Sequence, residues 1–271
     1  MANNYRTIVE SNELTENNKY YWGYQFRLGK EVLVPYLEKI GAFRSGDKVM
    51  EIGCAEGGVL AAFAEAGAID AVGTDIENYR LDAGRKIDSI INLGIEFFYH
   101  NIISDEVPEH LKNSISLVIL RDVIEHLPDT ETALKNIYQL IKPGGYLFLT
   151  FPPYHSPFGG HQHTLGSLLG KLPYIHLFPK PIFKLLIATG RKWDIEEVMR
   201  LHKIRMTPKK LVANAKKTGF SVEHQNYYLI RPVFKMRFGL PSINLGIFKT
   251  FSFIKNYFSL EALFLLKKVE K

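Results

Sequence analysis

Apolar and polar positions change rhythm repeatedly along this chain, and the clearest change runs from "DKVMEI" into "GGVLAAFAEA". A short apolar run next to charges predicts a buried strand. The alanine-rich run beyond the small-residue turn predicts a helix. The pairing recurs: "AIDAVGTD" precedes "NYRLDAGRKIDSIINL", "GIEFFYH" comes next, and "SISLVILRD" leads into "DTETALKNIYQLI". After the turn "KPGG" comes a fifth strand-like run, "GGYLFLTF". Regular alternation of this kind predicts parallel strands joined by crossover helices, an open α/β sheet. Ligands of such sheets sit at the carboxyl ends of the strands.

The rhythm breaks at Pro152. "PPYHSPFGGHQHTLGSLLGKLPYIHLFPKPIFKLL" is dense in Pro, Gly, His and aromatics. It is too long for a simple connection and too apolar for a loose linker, so residues 152–205 are expected to form a lid that binds the acceptor. Alternation resumes with the helix-like "TPKKLVANAKKTGF", capped by Thr207 with Pro208 in its first turn. Two more strand-like runs, "SVEHQNYYLI" and "LEALFLL", flank a second insertion at 231–258. Residues 1–45 read as an N-terminal helical cap, and 1–271 as a single domain.

Composition narrows the class without naming the chemistry. At 271 residues, 46% hydrophobic and 23% charged, the chain suits one sizeable soluble core. Cys54 is its one cysteine, so internal disulfides are excluded. No signal-peptide core is evident near the start and Lys249 and Lys255 break the most apolar C-terminal run, so the expected location is the cytoplasm. The charge is lopsided: residues 1–150 hold 14 Lys/Arg against 22 Asp/Glu, and residues 151–271 hold 20 against 6. The second part is a solvated basic surface or faces an anionic partner.

The turn "EIGCAEGG" decides what the sheet holds. No Lys-Ser or Lys-Thr follows it, which excludes a P-loop. Gly53, Ala55 and Gly58 sit at the positions of a dinucleotide fingerprint, with Ala55 in place of the glycine that lets a pyrophosphate approach. Glu51 at the strand end and Glu56 inside the turn oppose a diphosphate, since like charges about 4 Å apart repel by several kcal/mol at intermediate dielectric. The same acids suit a ligand that carries an amine and no phosphate.

"VMEIGCAEGG" resembles the first motif of the class I S-adenosylmethionine-dependent methyltransferases, an acid-x-Gly-x-Gly-x-Gly pattern that departs here at Ala55. "AVGTDI", "FFYHNI", "LVILRDVIEHLPD", "LIKPGGYLFLTFPP" and "HKIRMTPKKLVANAKKTGFSVEH" resemble later segments of that family in the same order. The resemblance runs roughly from Lys19 to Phe151 and from Met206 to the end. It implies a Rossmann-like, seven-stranded, mostly parallel sheet with helices on both faces, the last strand antiparallel. It implies S-adenosylmethionine as methyl donor, with S-adenosylhomocysteine as product. Glu51, Gly53, Cys54, Ala55 and Gly57 would surround its amino-acid tail, the Cys54 thiol acting as a small space-filler. Asp75 would take the ribose hydroxyls, beside Ile76. Asn101, where many members have Asp, would meet the adenine beside Ile102, and Arg121 completes the set. "YYWGYQFRLGKEVLVPYL" would form a helix over this pocket, with Tyr21, Trp22 and Arg27 as candidates to line it. Ubiquinone-type O-methyltransferases carry a divalent metal at positions matching Asp122, Glu125 and His126. Relatives without metal share Glu-His there, so none is assigned.

Transfer to a hydroxyl needs a base, and histidine titrates near pH 6.5. His126 after the fourth strand and His155, His161 and His163 after the fifth are the candidates. The expected acceptor is a small or lipid-linked molecule, taking the methyl group on oxygen. The apolar and basic insertions leave a peripheral membrane contact or a homodimer interface open. Alternatives are an NAD(P)-dependent oxidoreductase, an RNA methyltransferase and a non-catalytic nucleoside-binding protein. Nucleic acid has the least support, because only diffuse basic charge favours it.

Overall fold

In a computed structural model that describes residues 4–269, the chain forms one eight-stranded sheet. The outermost ends of the expected cap and domain, residues 1–3 and 270–271, lie outside the described residues. The strands are β1 (Lys48–Ile52), β2 (Asp70–Asp75), β3 (Glu96–Tyr99), β4 (Ile115–Arg121), β5 (Ile141–Phe151), β6 (Phe220–Ile230), β7 (Ile243–Asn244) and β8 (Glu261–Lys268). Their order is β3-β2-β1-β4-β5-β8-β6-β7. β1 to β5 run parallel, while β8 inserts antiparallel between β5 and β6.

The count corrects the seven strands expected. The extra one, β7, has two residues within the 231–258 insertion, and its Asn244 and Ile243 pair with Tyr228 and Ile230 of β6. So brief a pairing leaves no periodicity to read, yet it covers an edge that would otherwise be open. β5 also starts earlier than expected. Ile141 already pairs with Ile115, and Lys142–Gly145 bulge out before Tyr146 rejoins Leu117.

Helices cover both faces. α1 (Asn4–Glu10), α2 (Glu16–Leu28), α3 (Val34–Lys39), α4 (Gly58–Glu65) and α5 (Asn78–Ile91) lie on the face that carries Val49, Ile119 and Phe148. α6 (Thr130–Leu140) and α9 (Pro208–Thr218) cover Met50, Val118 and Leu149 on the other. Fully buried Leu60, Phe63 and Phe148 each contribute about 1.5–3 kcal/mol. Thr207 caps α9 as its sequence predicts, with its hydroxyl accepting from the Lys210 amide at 3.2 Å.

α2 passes through a π-helical turn, Gly29–Leu33, into α3. It crosses α4 at Gly58, where a Cβ would stand 2.4 Å from the Trp22 carbonyl oxygen. That close crossing seats α2 over the carboxyl ends of the strands.

The segment after β5 winds through three short 3-10 turns into α7 (Lys180–Ile187) and α8 (Lys192–Ile204). Leu165, Ile175, Phe183, Ile187 and Val198 form its own small core. The Tyr154 hydroxyl lies 2.7 Å from His202 Nδ1, and His176 Nε2 lies 2.6 Å from the Tyr154 carbonyl, so the segment is fastened to the end of β5. Beyond β6 come α10 (Pro232–Phe238) and α11 (Ser252–Tyr257). Among the described residues no helix is long and apolar enough to cross a membrane.

Candidate functional site

The carboxyl ends of β1 to β4 open into a cleft of about 840 Å³. Glu51, Gly53, Ala55, Asp75, Ile76, Asn101, Ile102, Arg121 and His126 all line it. Nine residues spread over 76 positions thus reach one cavity, because each follows a strand that ends on the same edge of the sheet.

Glu51 is set into the floor. Its neighbours in register are Gly73 on β2 and Ile119 on β4, so nothing polar lies beside it within the sheet. The residue is 4% exposed, and its Oε2 has no hydrogen-bond partner among the described residues. Burial pushes its pKa up to about 8, with Arg121 opposing the rise and Asp75 adding to it. A buried carboxyl with an open lone pair is a socket for a cationic donor.

Asp75 stands at the end of β2. Its Oδ2 accepts from the Ala55 amide at 2.9 Å and its Oδ1 from the Glu77 amide at 3.0 Å. Each oxygen keeps a lone pair toward the cleft, which suits a vicinal diol. Ala55 takes φ 50°, a left-handed conformation that glycine adopts more readily. At the end of β3, the Asn101 Oδ1 accepts from the Ile103 amide at 3.0 Å and the Asn101 amide donates to Asp105 at 2.7 Å. The side-chain amine of Asn101 stays free to donate, and buried His100 beside it has an unpartnered Nε2.

Several expected residues lie elsewhere. Cys54 is buried with its sulfur toward Gly73, inside the sheet layer. Gly57 packs under Phe97, whose ring a Cβ would meet at 2.4 Å. Glu56 turns from the cleft toward Arg80, 3.7 Å away, so only one of the two turn acids reaches the floor. From α2 it is Tyr24 and Gln25 that line the cleft. Trp22 is buried against Phe26 at 4.8 Å, Arg27 pairs with Glu31 at 2.8 Å, and Tyr21 lies near Arg80, outside the lining.

The histidines divide in the same way. His126 lines the cleft and places Nδ1 2.6 Å from Glu197 Oε1 of α8. Although burial pushes Glu197 upward, hydrogen bonds from His126 and Arg200 hold its pKa at about 2. Arg200 also donates to the His126 carbonyl at 2.7 Å. His161 lies behind His126, with ring centres 5.0 Å apart, and burial pushes its pKa down to about 3. His163 sits beside Phe158, and His155 packs between Tyr154 and Tyr257. None of these three lines the cleft.

Asp122 does not face the cleft as a free acid. Arg231, just past β6, donates to both of its oxygens at 3.0 and 2.7 Å and to Glu261 of β8 at 2.8 Å. Against its burial, Arg231 and Arg121 hold Asp122 below the usual carboxylate range. Glu125 is buried, and burial, with Asp122 adding, pushes its pKa well above that range. Among the described residues neither of its oxygens has a hydrogen bond, and Oε1 lies 3.9 Å from His126 Nε2 and 3.7 Å from His161 Nε2. Donor atoms of Glu125, His126 and His161 lie within 4.8 Å of one another, a trio that could receive a cation only if Glu125 gave up its proton.

Glu197, Arg200, Arg231 and His100 escaped the sequence reading. The first two sit three apart on the amphipathic helix α8, and only the fold brings that helix to β4. Arg231 follows a strand end and could have been suspected on that ground alone.

A family model described as a methyltransferase domain matches residues 21–225. The ubiquinone biosynthesis O-methyltransferase of Pseudomonas aeruginosa (strain UCBPP-PA14) is 29% identical over 106 residues, 39% of this chain and 44% of that protein. Its counterpart from Bordetella avium (strain 197N) is 25% identical over 115 residues, 42% and 46% of the two chains. The match therefore spans less than half the length of these curated relatives. An S-adenosylmethionine-dependent methyltransferase of Mesorhizobium loti superposes with a TM-score of 0.55 at 14% identity, covering 86% of this chain and 96% of that one. One from Methanosarcina mazei gives 0.53 at 15% identity, covering 86% and 98%. At such identities the superpositions show the fold alone.

Proposed function

This chain belongs to the class I S-adenosylmethionine-dependent methyltransferase family, and on that premise we propose that it moves a methyl group from S-adenosylmethionine to an oxygen of a small or lipid-linked acceptor. The observation that carries the reading is the Glu51 carboxyl, buried on the cleft floor with an unpartnered oxygen.

The residues fit the donor. Glu51 would hold the ammonium, Asp75 the ribose diol, and Asn101 the adenine edge. S-adenosylmethionine supplies a methyl group already activated by its sulfonium, so the protein's task is to align and desolvate the acceptor and remove its proton. His126 is the base. Glu197 fixes the proton on Nδ1, leaves Nε2 as the proton acceptor, and stabilises the imidazolium that forms. Arg200 keeps the dyad in place through both partners. His161, held neutral, packs behind His126 and adds no charge to oppose that imidazolium. The dyad suits a hydroxyl, which keeps its proton at neutral pH until a base removes it. The names of the ubiquinone-pathway relatives point to the same class of acceptor.

Calorimetric titration tests the donor: S-adenosylmethionine and S-adenosylhomocysteine bind, and NAD does not. The converse result would return the cleft to oxidoreductase chemistry. A labelled methyl donor incubated with cell extract then identifies the acceptor. A product with its label on nitrogen or carbon would overturn the oxygen acceptor.

A further inference from the structure

Two segments outside the cleft expose large apolar side chains amid an excess of positive charge. Helix α7 carries exposed Lys180 and Lys184 one turn apart, with exposed Ile182 and Leu185 on its outer surface beside them. Phe183 and Ile187 fill the lid core, while Leu185 on the outer side is 75% exposed. Exposed aliphatic side chains beside a lysine stripe are the pattern of a helix that lies at a membrane interface. In the second segment, Ile247, Phe251 and Phe253 are 79%, 59% and 62% exposed. The two segments adjoin, since the Tyr174 hydroxyl donates to the Tyr257 carbonyl at 2.8 Å and the His155 ring lies 5.4 Å from that of Tyr257.

The charge pattern selects the occupant. No Asp or Glu occurs from Phe151 to Trp193 or from Arg231 to Phe258, and each segment carries five Lys/Arg, of which Arg191 pairs with Asp194 and Arg231 with Asp122 and Glu261. Among the described residues, Lys171, Lys180 and Lys184 are exposed and form none of the ion pairs. A second copy of this chain would bring cations against cations. A nucleic-acid backbone would match the charge and find no use for exposed Ile247 and Leu185. An anionic bilayer matches both, because lysines meet headgroups while aliphatic and aromatic side chains enter the acyl boundary.

We propose that α7 and the 246–258 segment form a docking surface for an anionic phospholipid membrane, which would bring the cleft to acceptors held in that membrane. Docking needs no methyl transfer, so its failure and that of the catalytic reading are separable.

The test is co-sedimentation with large vesicles of phosphatidylcholine alone, or with a phosphatidylglycerol fraction, at low and high salt. The full chain should pellet with the anionic vesicles and be largely released by salt. Lys180→Gln and Lys184→Gln should each weaken binding about fivefold. Leu185→Ser with Phe251→Ser should weaken it by tenfold or more. Ile69→Ser, altering a 64%-exposed residue at the amino end of β2, should change nothing. Far-UV circular dichroism and S-adenosylmethionine binding confirm that each variant is folded. Failure of the unaltered chain to pellet, or equal pelleting of all variants, overturns the proposal. So does a light-scattering dimer that Phe251→Ser makes monomeric, or salt-sensitive RNA binding in a chain that ignores vesicles.

Discussion

The Glu51 carboxyl makes cofactor binding depend on pH in a direction that can be worked out beforehand. With a pKa of about 8 in the free protein, Glu51 is mostly protonated at pH 7. Holding an ammonium requires it ionised, which costs about 1.4 kcal/mol at pH 7, close to tenfold in affinity. The penalty grows by another factor of about ten for each pH unit below that and fades above pH 8. The α-amino group of the ligand loses its own proton near pH 8, so affinity should rise from pH 6 to a maximum close to pH 8 and then fall. Calorimetry at pH 7 in buffers of different ionisation enthalpy should detect release of most of one proton. Glu51→Gln should abolish that release. Its affinity should be well below that of the unaltered protein at pH 8 and approach it at pH 6, where both carry a neutral side chain. Stability should run the opposite way. A carboxyl whose folded pKa is raised supports the fold below its unfolded pKa, near 4.5, and that support is lost as pH rises through about 8. The melting temperature of Glu51→Gln should therefore gain on the unaltered protein as pH climbs through that window. An affinity that stays flat from pH 6 to 8, or an equal slope in Glu51→Gln, would refute the socket.

Asp75→Ala should raise the S-adenosylmethionine Kd thirtyfold or more in calorimetry, because two charge-assisted hydrogen bonds to the diol disappear. His126→Ala should leave that Kd unchanged and lower kcat by about 10²–10⁴ with a hydroxyl acceptor. Glu197→Gln should lower kcat less and shift the pH–rate profile, which a purely structural role for Glu197 would not do. Ala55→Gly should raise the melting temperature, since a left-handed alanine costs about 1 kcal/mol that glycine avoids. EDTA should leave turnover unchanged, because Asp122 is tied to Arg231 and Glu125 holds its proton. Loss of turnover restored by Mg²⁺ would hand Glu125, His126 and His161 to a metal.

The part of the cleft proposed to hold the cofactor has a lining that could be read because its residues are local to strand ends. Glu51, Asp75, Asn101 and Arg121 each close an apolar run, and parallel strands joined by helices must bring those ends to one edge. The errors there are errors of direction. Whether a turn residue looks up into the cleft or down into the sheet depends on one dihedral angle. Cys54, Gly57 and Glu56 turned away for reasons that composition does not record, namely contacts with Gly73, Phe97 and Arg80. Tyr24 and Gln25, not their neighbours Tyr21 and Trp22, face the cleft because Gly58 fixes where α2 crosses α4.

The surroundings of His126, the proposed base, resisted for a different reason. His126 gains its meaning from Glu197, 71 residues later, and Asp122 loses its freedom to Arg231, 109 residues later. Both partners arrive through topology. β6 runs parallel to β5 and ends on the cofactor edge, while antiparallel β8 begins there, so Arg231 and Glu261 meet Asp122 where the polarities of the strands coincide. Helix α8 then sets Glu197 and Arg200 against the segment that follows β4. The acid-x-x-acid-His group of the sequence is thereby split into separate tasks. Asp122 joins an ionic bridge that locks β4, β6 and β8 together, Glu125 is stored neutral, and only His126 is presented to the cleft. Removing Arg231 would undo that division. Arg231→Met leaves Asp122 and Glu261 with only the more distant Arg121, 3.9 Å from Asp122, a loss of about 3–5 kcal/mol for a fully buried pair and less to the extent that Arg121 and water reach Asp122. Urea unfolding should show a clear drop in midpoint, and Arg231→Met with Asp122→Asn should recover part of it. A single variant as stable as the unaltered protein would mean that the bridge does not hold this edge of the sheet together.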